Sequence, residues 1–170
     1  MFEIGDVIIY GTNGVCTVET IGPLDSKMNT KGRIYYTLKP FYRKESKIFT
    51  PADSEKVIMR PVLKKEEAMK LIAEIKNIDS LWIEDEKGRE YAYKEAIHKC
   101  DCRELVRIIK TIYRRKESRI AEGKKVTSVD EKYFFMAEDS LYGELAIPLK
   151  MTKEEVKDYI IGRMKLQETE

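Results

Sequence analysis

The sequence has little of the side-chain chemistry on which most catalytic and metal sites depend. Its 170 residues include one histidine and three cysteines. We find no Gly-Lys-Ser/Thr phosphate-binding loop, no glycine-rich dinucleotide fingerprint and no nucleophile elbow. His98, Cys100 and Cys102 lie close together, but zinc sites usually have wider spacings and a fourth ligand, which is missing nearby. We therefore expect no enzyme activity, no metal and no cofactor.

Long apolar runs and secretion features are also missing. No stretch approaches the roughly 18 consecutive apolar residues that a membrane helix needs. Residues 1–6 lack the basic segment and apolar run of a secretory signal. An odd number of cysteines does not suit a secreted disulfide framework. We expect a cytoplasmic protein that does not associate with membranes.

Net charge is nearly absent, but one short block is strongly basic. The chain has 32 Lys and Arg against 30 Asp and Glu. Residues 102–125 contain nine Lys and Arg against three Asp and Glu. Basicity across the whole domain, which many DNA-binding domains have, is missing. Any contact with nucleic acid must therefore be local.

The first 62 residues have the pattern of β-strands. Short β-prone runs at residues 7–10, 15–21, 34–38, 48–50 and 57–59 are separated by turn-rich or polar segments. About five short strands at a spacing of about ten residues indicate a small barrel or a strongly bent sheet. We predict an SH3-like or Tudor-like β domain over residues 1–62.

After Pro61 the pattern becomes helical. Ala68, Leu71, Ile72 and Ile75 are spaced as on one side of a helix. Asp101, Ser128 and Thr152 each precede an acidic residue by three positions, which is typical of helix starts. We predict an all-α bundle of about four or five helices over residues 63–170, with Pro148 between the last two. The fold class is therefore α+β, with two domains.

The predicted helix from Cys102 to about Glu122 segregates its charge. A narrow stripe of cations repeats about once per turn, and the opposite side is apolar and is expected to face a core. The stripe consists of Arg103, Arg107, Lys110 and Arg114; the apolar side consists of Leu105, Ile109, Ile112, Tyr113 and Ile120. Such a stripe could neutralise successive phosphates of DNA. It could equally be an ordinary solvated helix face, with cations near the C-terminus that favour the helix dipole.

The single tryptophan, Trp82, lies where one predicted helix has ended and a charged segment begins. Leu81 and Ile83 on either side could make it part of the helical core. Alternatively, it is exposed and available to stack on a base or to insert into a DNA step.

Six short motifs follow one another along the chain. The β half contains residues 2–10 (FEIGDVIIY), 14–19 (GVCTVE), 48–51 (IFTP) and 59–62 (MRPV), and the helical half contains residues 103–115 (RELVRIIKTIYRR) and 143–146 (GELA). The first four resemble the opening and closing strands of the CarD/CdnL family of transcription regulators, and the last two resemble its basic helix and late helix. The match extends over nearly the whole chain in the same order.

This resemblance implies a Tudor-like domain that binds the β-subunit lobe of bacterial RNA polymerase by joining strand to strand. The same module occurs in transcription-repair coupling factor, but this chain has no helicase motifs. The edge implied for this contact consists of Lys47, Ile48, Phe49 and Thr50. An exposed strand edge suits such a role because its backbone groups are unpaired.

The resemblance also implies a DNA-contacting helical domain. In the family a tryptophan wedges into the minor groove at the upstream edge of the melted promoter and stabilises the open complex. Trp82 is the corresponding candidate, and Lys87, Arg89 and Arg107 would anchor phosphates, together with the rest of the cationic stripe. DNA contact would be largely independent of sequence, and the protein would be a monomer.

Two other functions remain open at this point. One is a polymerase-independent DNA-binding or nucleoid-type protein, which predicts steep, salt-dependent binding to duplex DNA alone. The other is a pure protein-interaction adaptor, in which Trp82 and the basic helix have no effect on DNA.

Overall fold

The computed structural model describes residues 1–25 and 32–168. The chain divides into two compact units, which we call the N-terminal unit (Met1–Val62) and the C-terminal unit (Leu63–Glu170). The first contains an antiparallel sheet and the second contains helices. The predicted α+β fold, a small β domain followed by a helical region, is confirmed.

Over residues 1–25 and 32–62, the N-terminal unit contains five strands, in the sheet order β4-β3-β2-β1-β5. They are β1 (Val7–Tyr10), β2 (Gly14–Pro23), β3 (Ile34–Pro40), β4 (Ile48–Pro51) and β5 (Met59–Pro61). Alternating side chains of these strands form a small core that includes Ile8, Tyr10, Cys16, Val18, Tyr36 and Leu38. The order places β4 and β5 at the two edges.

The last strand is shifted from its predicted position. We expected residues 57–59, whereas β5 begins at Met59 and continues to Pro61. Its pairing with β1 sets this register, since Tyr10 lies opposite Met59 and Ile8 opposite Pro61. A proline can end a strand at a sheet edge, because the ladder hydrogen bond that it cannot make is not needed there.

The C-terminal unit contains five α-helices, and short 3-10 turns lie at Ile75–Asn77 and Glu86–Gly88. The helices are α1 (Lys65–Glu74), α2 (Arg89–His98), α3 (Cys102–Ala121), α4 (Ser128–Leu149) and α5 (Lys153–Glu168). Their apolar faces form one continuous core, in which α4 packs against both α3 and α5. Buried Glu144 of α4 accepts hydrogen bonds from the Leu63 backbone N–H (2.9 Å) and the Cys102 thiol (3.2 Å).

Two predicted helix boundaries differ in the structure. Pro148 does not separate α4 from α5 but lies inside the last turn of α4, where its missing N–H removes one helix hydrogen bond without ending the helix. The chain leaves α4 at Lys150, which has a left-handed backbone (φ 54°), and Thr152 then caps α5. At the other end of α4 the cap is Thr127 and not Ser128, because the Thr127 hydroxyl accepts the Asp130 N–H.

Tyr113 and Ile120 do not face the core as predicted; their side chains are 54% and 65% exposed. The buried residues of α3 end at Ile112. Tyr113 therefore lies at the border of the buried face, and Ile120 lies on the last turns, beyond it. The sequence periodicity predicted the apolar side of α3 correctly. It did not predict the point along α3 beyond which other helices no longer cover that side.

Candidate functional site

The outer edge of β4 is the first candidate site. In the described part of the chain, β4 pairs with β3 on one side only. Phe49 lies opposite Thr37, and Thr50 lies opposite Tyr36. The Phe49 side chain is 46% exposed, whereas that of Thr50 is 2% exposed and belongs to the interior of the unit. A partner at this edge can therefore reach the side chain of Phe49 but not that of Thr50.

The backbone of Phe49 points away from the sheet. Just after β4, the Ala52 N–H donates to the carbonyl of Ile34 on β3 (2.9 Å). Hydrogen-bonded and non-hydrogen-bonded positions alternate along an antiparallel pair, so Thr50 and Ile48 direct their N–H and C=O groups to β3. Phe49, between them, directs its own groups outward. Pro51, the next outward-facing residue, has no N–H to offer.

Lys47 precedes β4 and forms an exposed ion pair with Glu19 of β2 (3.6 Å). The distance is long for a hydrogen bond and both side chains are more than a third exposed, so the pair contributes little to stability.

The segment that carries Trp82 is the second candidate site. Trp82 is 85% exposed, while Leu81 and Ile83 on either side are partly buried against the helical core. The interpretation of Trp82 as a core residue is thus excluded by its exposure. Its two neighbours anchor the backbone, and the indole lies in solvent.

Three polar contacts from α3 fix the chain just before Trp82. The Lys110 ammonium donates to the Ile78 carbonyl (2.6 Å), and the Arg114 guanidinium donates to the Ser80 hydroxyl (2.9 Å). Between these, the Leu81 N–H donates to the Thr111 hydroxyl (2.8 Å). Burial, and then the charge of Arg114, lower the pKa of Lys110. Half of the predicted cationic stripe therefore holds the tryptophan segment.

The other half of the stripe is paired with carboxylates. Arg103 forms a hydrogen bond and ion pair with Glu74, which lowers the pKa of that carboxyl. Arg107 pairs with Glu104 one turn before it (3.0 Å). Both arginines keep part of their surface exposed, but a phosphate would have to compete with these acids.

Of the two cations that follow Trp82 in sequence, Lys87 and Arg89, only Lys87 is exposed. Lys87 has no hydrogen-bond or ion-pair partner among the described residues. Arg89 is mostly buried and donates to the Tyr93 hydroxyl (2.7 Å). Arg89 therefore belongs to the interior of the unit, and sequence alone did not distinguish its role from that of Lys87.

A buried polar network supports the segment after Trp82. Asp130 is fully buried and accepts hydrogen bonds from the Tyr93 hydroxyl (2.8 Å) and from Arg115 (2.7 Å). Arg115 also binds the carboxylate of Glu86. Burial, with the neighbouring Asp130, raises the pKa of Tyr93 to about 12, so that its hydroxyl stays protonated as a donor.

The acidic residues after Trp82 have structural partners. Asp85 accepts the Gly88 N–H (2.8 Å) as a cap of the 3-10 turn, and Glu86 binds Arg115. The negative charge of Glu86 is therefore offset by a cation beside it.

Sequence reasoning missed Thr111 and Asp130, because neither is marked by charge clustering or by spacing.

His98, Cys100 and Cys102 do not form a metal site. The His98 ring bonds the Lys94 carbonyl (2.7 Å) and is exposed, whereas both cysteines are buried. Over residues 1–25 and 32–168, no group of three or more His, Cys, Asp and Glu side chains is arranged to hold a metal ion.

None of the described helices is both long and apolar enough to cross a membrane.

Comparison with known proteins identifies the N-terminal unit. Residues 2–63 match the family model described as the CarD-like/TRCF RID domain. This range covers almost all of the N-terminal unit, including both edge strands. No curated protein matches the chain significantly. The N-terminal unit therefore carries a CarD-like/TRCF RID domain over residues 2–63, which supports an RNA polymerase-interacting, transcription-related protein.

Proposed function

We propose that this chain regulates transcription by binding the β-subunit lobe of RNA polymerase with its N-terminal unit and promoter DNA with its C-terminal unit. It acts in the cytoplasm as a monomer and binds its partners without catalysing a reaction. At the upstream edge of the melted region, Trp82 hinders closure of the strands and so stabilises the open complex. The observation that carries the DNA part is the exposed Trp82 on a backbone that α3 holds in place.

The polymerase contact is supported by the free edge of β4. A strand of the β lobe that pairs with this edge would exchange hydrogen bonds with the outward N–H and C=O of Phe49. The phenyl ring of Phe49 and the ammonium of Lys47 would add side-chain contacts. Ile48 and Thr50 would support the edge from inside the sheet.

The DNA contact is supported by the exposure and the fixed position of Trp82. The exposed indole offers a large flat surface that suits stacking on a base. Because the backbone is already held, little ordering entropy is lost when DNA binds. Stacking worth about 1–3 kcal/mol would lengthen the lifetime of an open complex roughly fivefold to a hundredfold.

Phosphate contacts are best supported for Lys87 and Arg114, which are both exposed. Lys87 follows Trp82 closely in sequence, and Arg114 is hydrogen-bonded to Ser80, just before Trp82. Arg103, Arg107 and Lys110 would contribute a weaker, long-range attraction. Arg89 would act only by supporting the fold.

The test of this function is the lifetime of open promoter complexes formed by the homologous polymerase with the full chain. We expect Trp82→Ala to shorten the lifetime at least about fivefold, and Trp82→Phe to retain part of the effect. Phe135→Ala is the matched control, because Phe135 is also a largely exposed aromatic of the C-terminal unit. Equal lifetimes with the wild-type chain and Trp82→Ala would contradict the proposed role of Trp82.

The alternative of a polymerase-independent DNA-binding protein has less support. Most of the basic helix is engaged within the protein, since Arg103, Arg107 and Arg115 pair with carboxylates. Few cations remain for tight binding to bare duplex. Strong, salt-sensitive binding of the full chain to duplex DNA without polymerase would favour that alternative.

A further inference from the structure

A groove in the C-terminal unit has no role in the functions described above. It has a volume of about 650 Å³ and is lined by α3, α4 and α5, with a contribution from Ile75. α4 forms the floor, because it packs against both of the other helices. The lining residues of α3 include Val106, Ile109 and Tyr113, and those of α5 include Ile160, Ile161 and Met164.

The apolar lining continues onto the protein surface. Tyr113, Ile161 and Met164 are each more than a third exposed although they line the groove. Their spacings along α3 and α5 place them on one face of each helix, together with buried neighbours. An exposed apolar strip next to a concave apolar surface is typical of a binding site.

The border of the groove is positively charged. Lys110, Lys116 and Lys157 lie along it, against a single acid, Glu138. Glu138 already accepts the Tyr142 hydroxyl (2.9 Å) and pairs with Lys157 (3.8 Å). The Lys116 ammonium lies over the Phe134 ring (3.9 Å) and has no carboxylate partner among the described residues. Lys116 is therefore a cation on this border that no acid in the described part of the chain neutralises.

We propose that this groove binds an amphipathic helix of a partner protein, with acidic side chains along both borders of its apolar face. The floor and two helical walls have the shape that a further helix fills in a bundle. From Val106 to Lys116 the wall extends ten residues, about 15 Å, which corresponds to roughly three turns of a bound helix. The acidic borders would pair with Lys116 on one side and Lys157 on the other.

Other occupants fit the groove less well. DNA would place phosphates over an apolar floor, where they lose hydration without gaining partners. A second copy of this chain would have to supply an acidic amphipathic helix, whereas the most strongly amphipathic helix described, α3, has a basic outer face and a buried apolar face. The proposal does not depend on the polymerase or DNA contacts, so its failure would leave them unaffected.

The test uses the full chain and two synthetic helical peptides of about four turns. Both have leucine at positions i, i+3, i+4 and i+7; one has glutamate along the borders of this face and the other has lysine. Isothermal titration calorimetry measures the affinity and the stoichiometry. We expect one site for the glutamate peptide, with an affinity at least about tenfold higher than for the lysine peptide.

Variants locate the site. Lys116→Glu should lower the affinity for the glutamate peptide at least about tenfold. Tyr113→Asp should lower it to a similar extent, because it places a charge among the apolar contacts. Tyr113 is more than half exposed, so its substitution leaves the core intact. Lys125→Glu is the matched control: it makes the same charge change at an exposed position that does not line the groove.

Three results would overturn the proposal. The first is equal affinity for the two peptides, or affinity unchanged by both Lys116→Glu and Tyr113→Asp. The second is a concentration-dependent dimer in analytical ultracentrifugation that Tyr113→Asp abolishes, which would assign the groove to a second copy. The third is saturable binding of dodecanoate with no binding of either peptide, which would assign it to a small anionic amphiphile.

Discussion

The two units present different parts of the chain to a partner. At the edge of β4 the backbone of Phe49 is directed outward, and the neighbouring side chains, such as that of Thr50, are partly or fully turned inward. Just before Trp82, α3 holds the backbone at Ile78 and Leu81, and the indole of Trp82 is directed outward. Partner binding at the β4 edge should tolerate changes of side chain. Partner binding at Trp82 should depend on single residues, including residues of α3 that are distant from Trp82 in sequence.

The two sites also differ in what supports them. The β4 edge rests on a ladder of hydrogen bonds to β3, and its nearest ion pair, Lys47 with Glu19, is exposed. The Trp82 segment is flanked by a buried network in which Asp130, Tyr93 and Arg115 satisfy one another. Damage to a buried polar network costs far more than damage to a surface ion pair.

The largest effect should therefore follow from Asp130→Ala. This change removes the buried acceptor of the Tyr93 hydroxyl proton and of the Arg115 Nε–H. We expect the free energy of unfolding of the C-terminal unit to fall by about 3–5 kcal/mol, measured by urea denaturation with far-ultraviolet circular dichroism. Asp139→Ala, which removes a surface pair with Lys153, should cost less than about 1 kcal/mol. Similar losses for the two variants would show that the buried network has no special role.

The next largest effect should follow from Thr111→Val, which removes the hydroxyl that holds the Leu81 N–H while it keeps the shape of the side chain. We expect the free energy of the contacts that hold the Trp82 segment to weaken by about 1 kcal/mol. The lifetime of the open complex should then be about fivefold shorter. Thr111→Ser should restore most of the lifetime because the hydroxyl returns. An unchanged lifetime in Thr111→Val would mean that the hold on Trp82 is unimportant.

The smallest effect should follow from Lys47→Ala. Since its pair with Glu19 is long and exposed, the free energy of unfolding of the N-terminal unit should change by less than about 1 kcal/mol. Affinity for the β lobe should fall a few-fold at most, and Lys47→Glu should weaken binding further. Surface plasmon resonance with the isolated lobe measures both variants. A large loss in Lys47→Ala would mean that side chains, and not the backbone edge, dominate this contact.

The sequence predicted features that depend on local pattern. The strands at residues 7–10 and 48–50 and the helix that begins at Cys102 follow from alternation, periodicity and the Asp101 cap. The position of β5 was predicted less well, because it depends on pairing with β1, which lies far away in sequence. Local pattern does not contain that pairing.

The site residues show the same limit. Trp82 could be singled out as the only tryptophan, but its exposure depends on how Leu81 and Ile83 pack. Arg89 and Lys87 look alike in sequence, yet only Arg89 meets the Tyr93 hydroxyl and is buried. The roles of Thr111 and Asp130 arise from contacts over 30 and 37 residues, and no sequence pattern marks them.

The central claim is that the N-terminal unit binds polymerase through the backbone edge of β4. The most direct measurement compares Phe49→Pro with Phe49→Ala in titrations of the full chain against the isolated β-subunit lobe. Proline removes the outward N–H, which β3 does not use, whereas alanine keeps it and removes only the phenyl ring. We predict a loss of affinity of at least about tenfold for Phe49→Pro and a smaller loss for Phe49→Ala. Wild-type affinity in Phe49→Pro would contradict strand pairing at this edge.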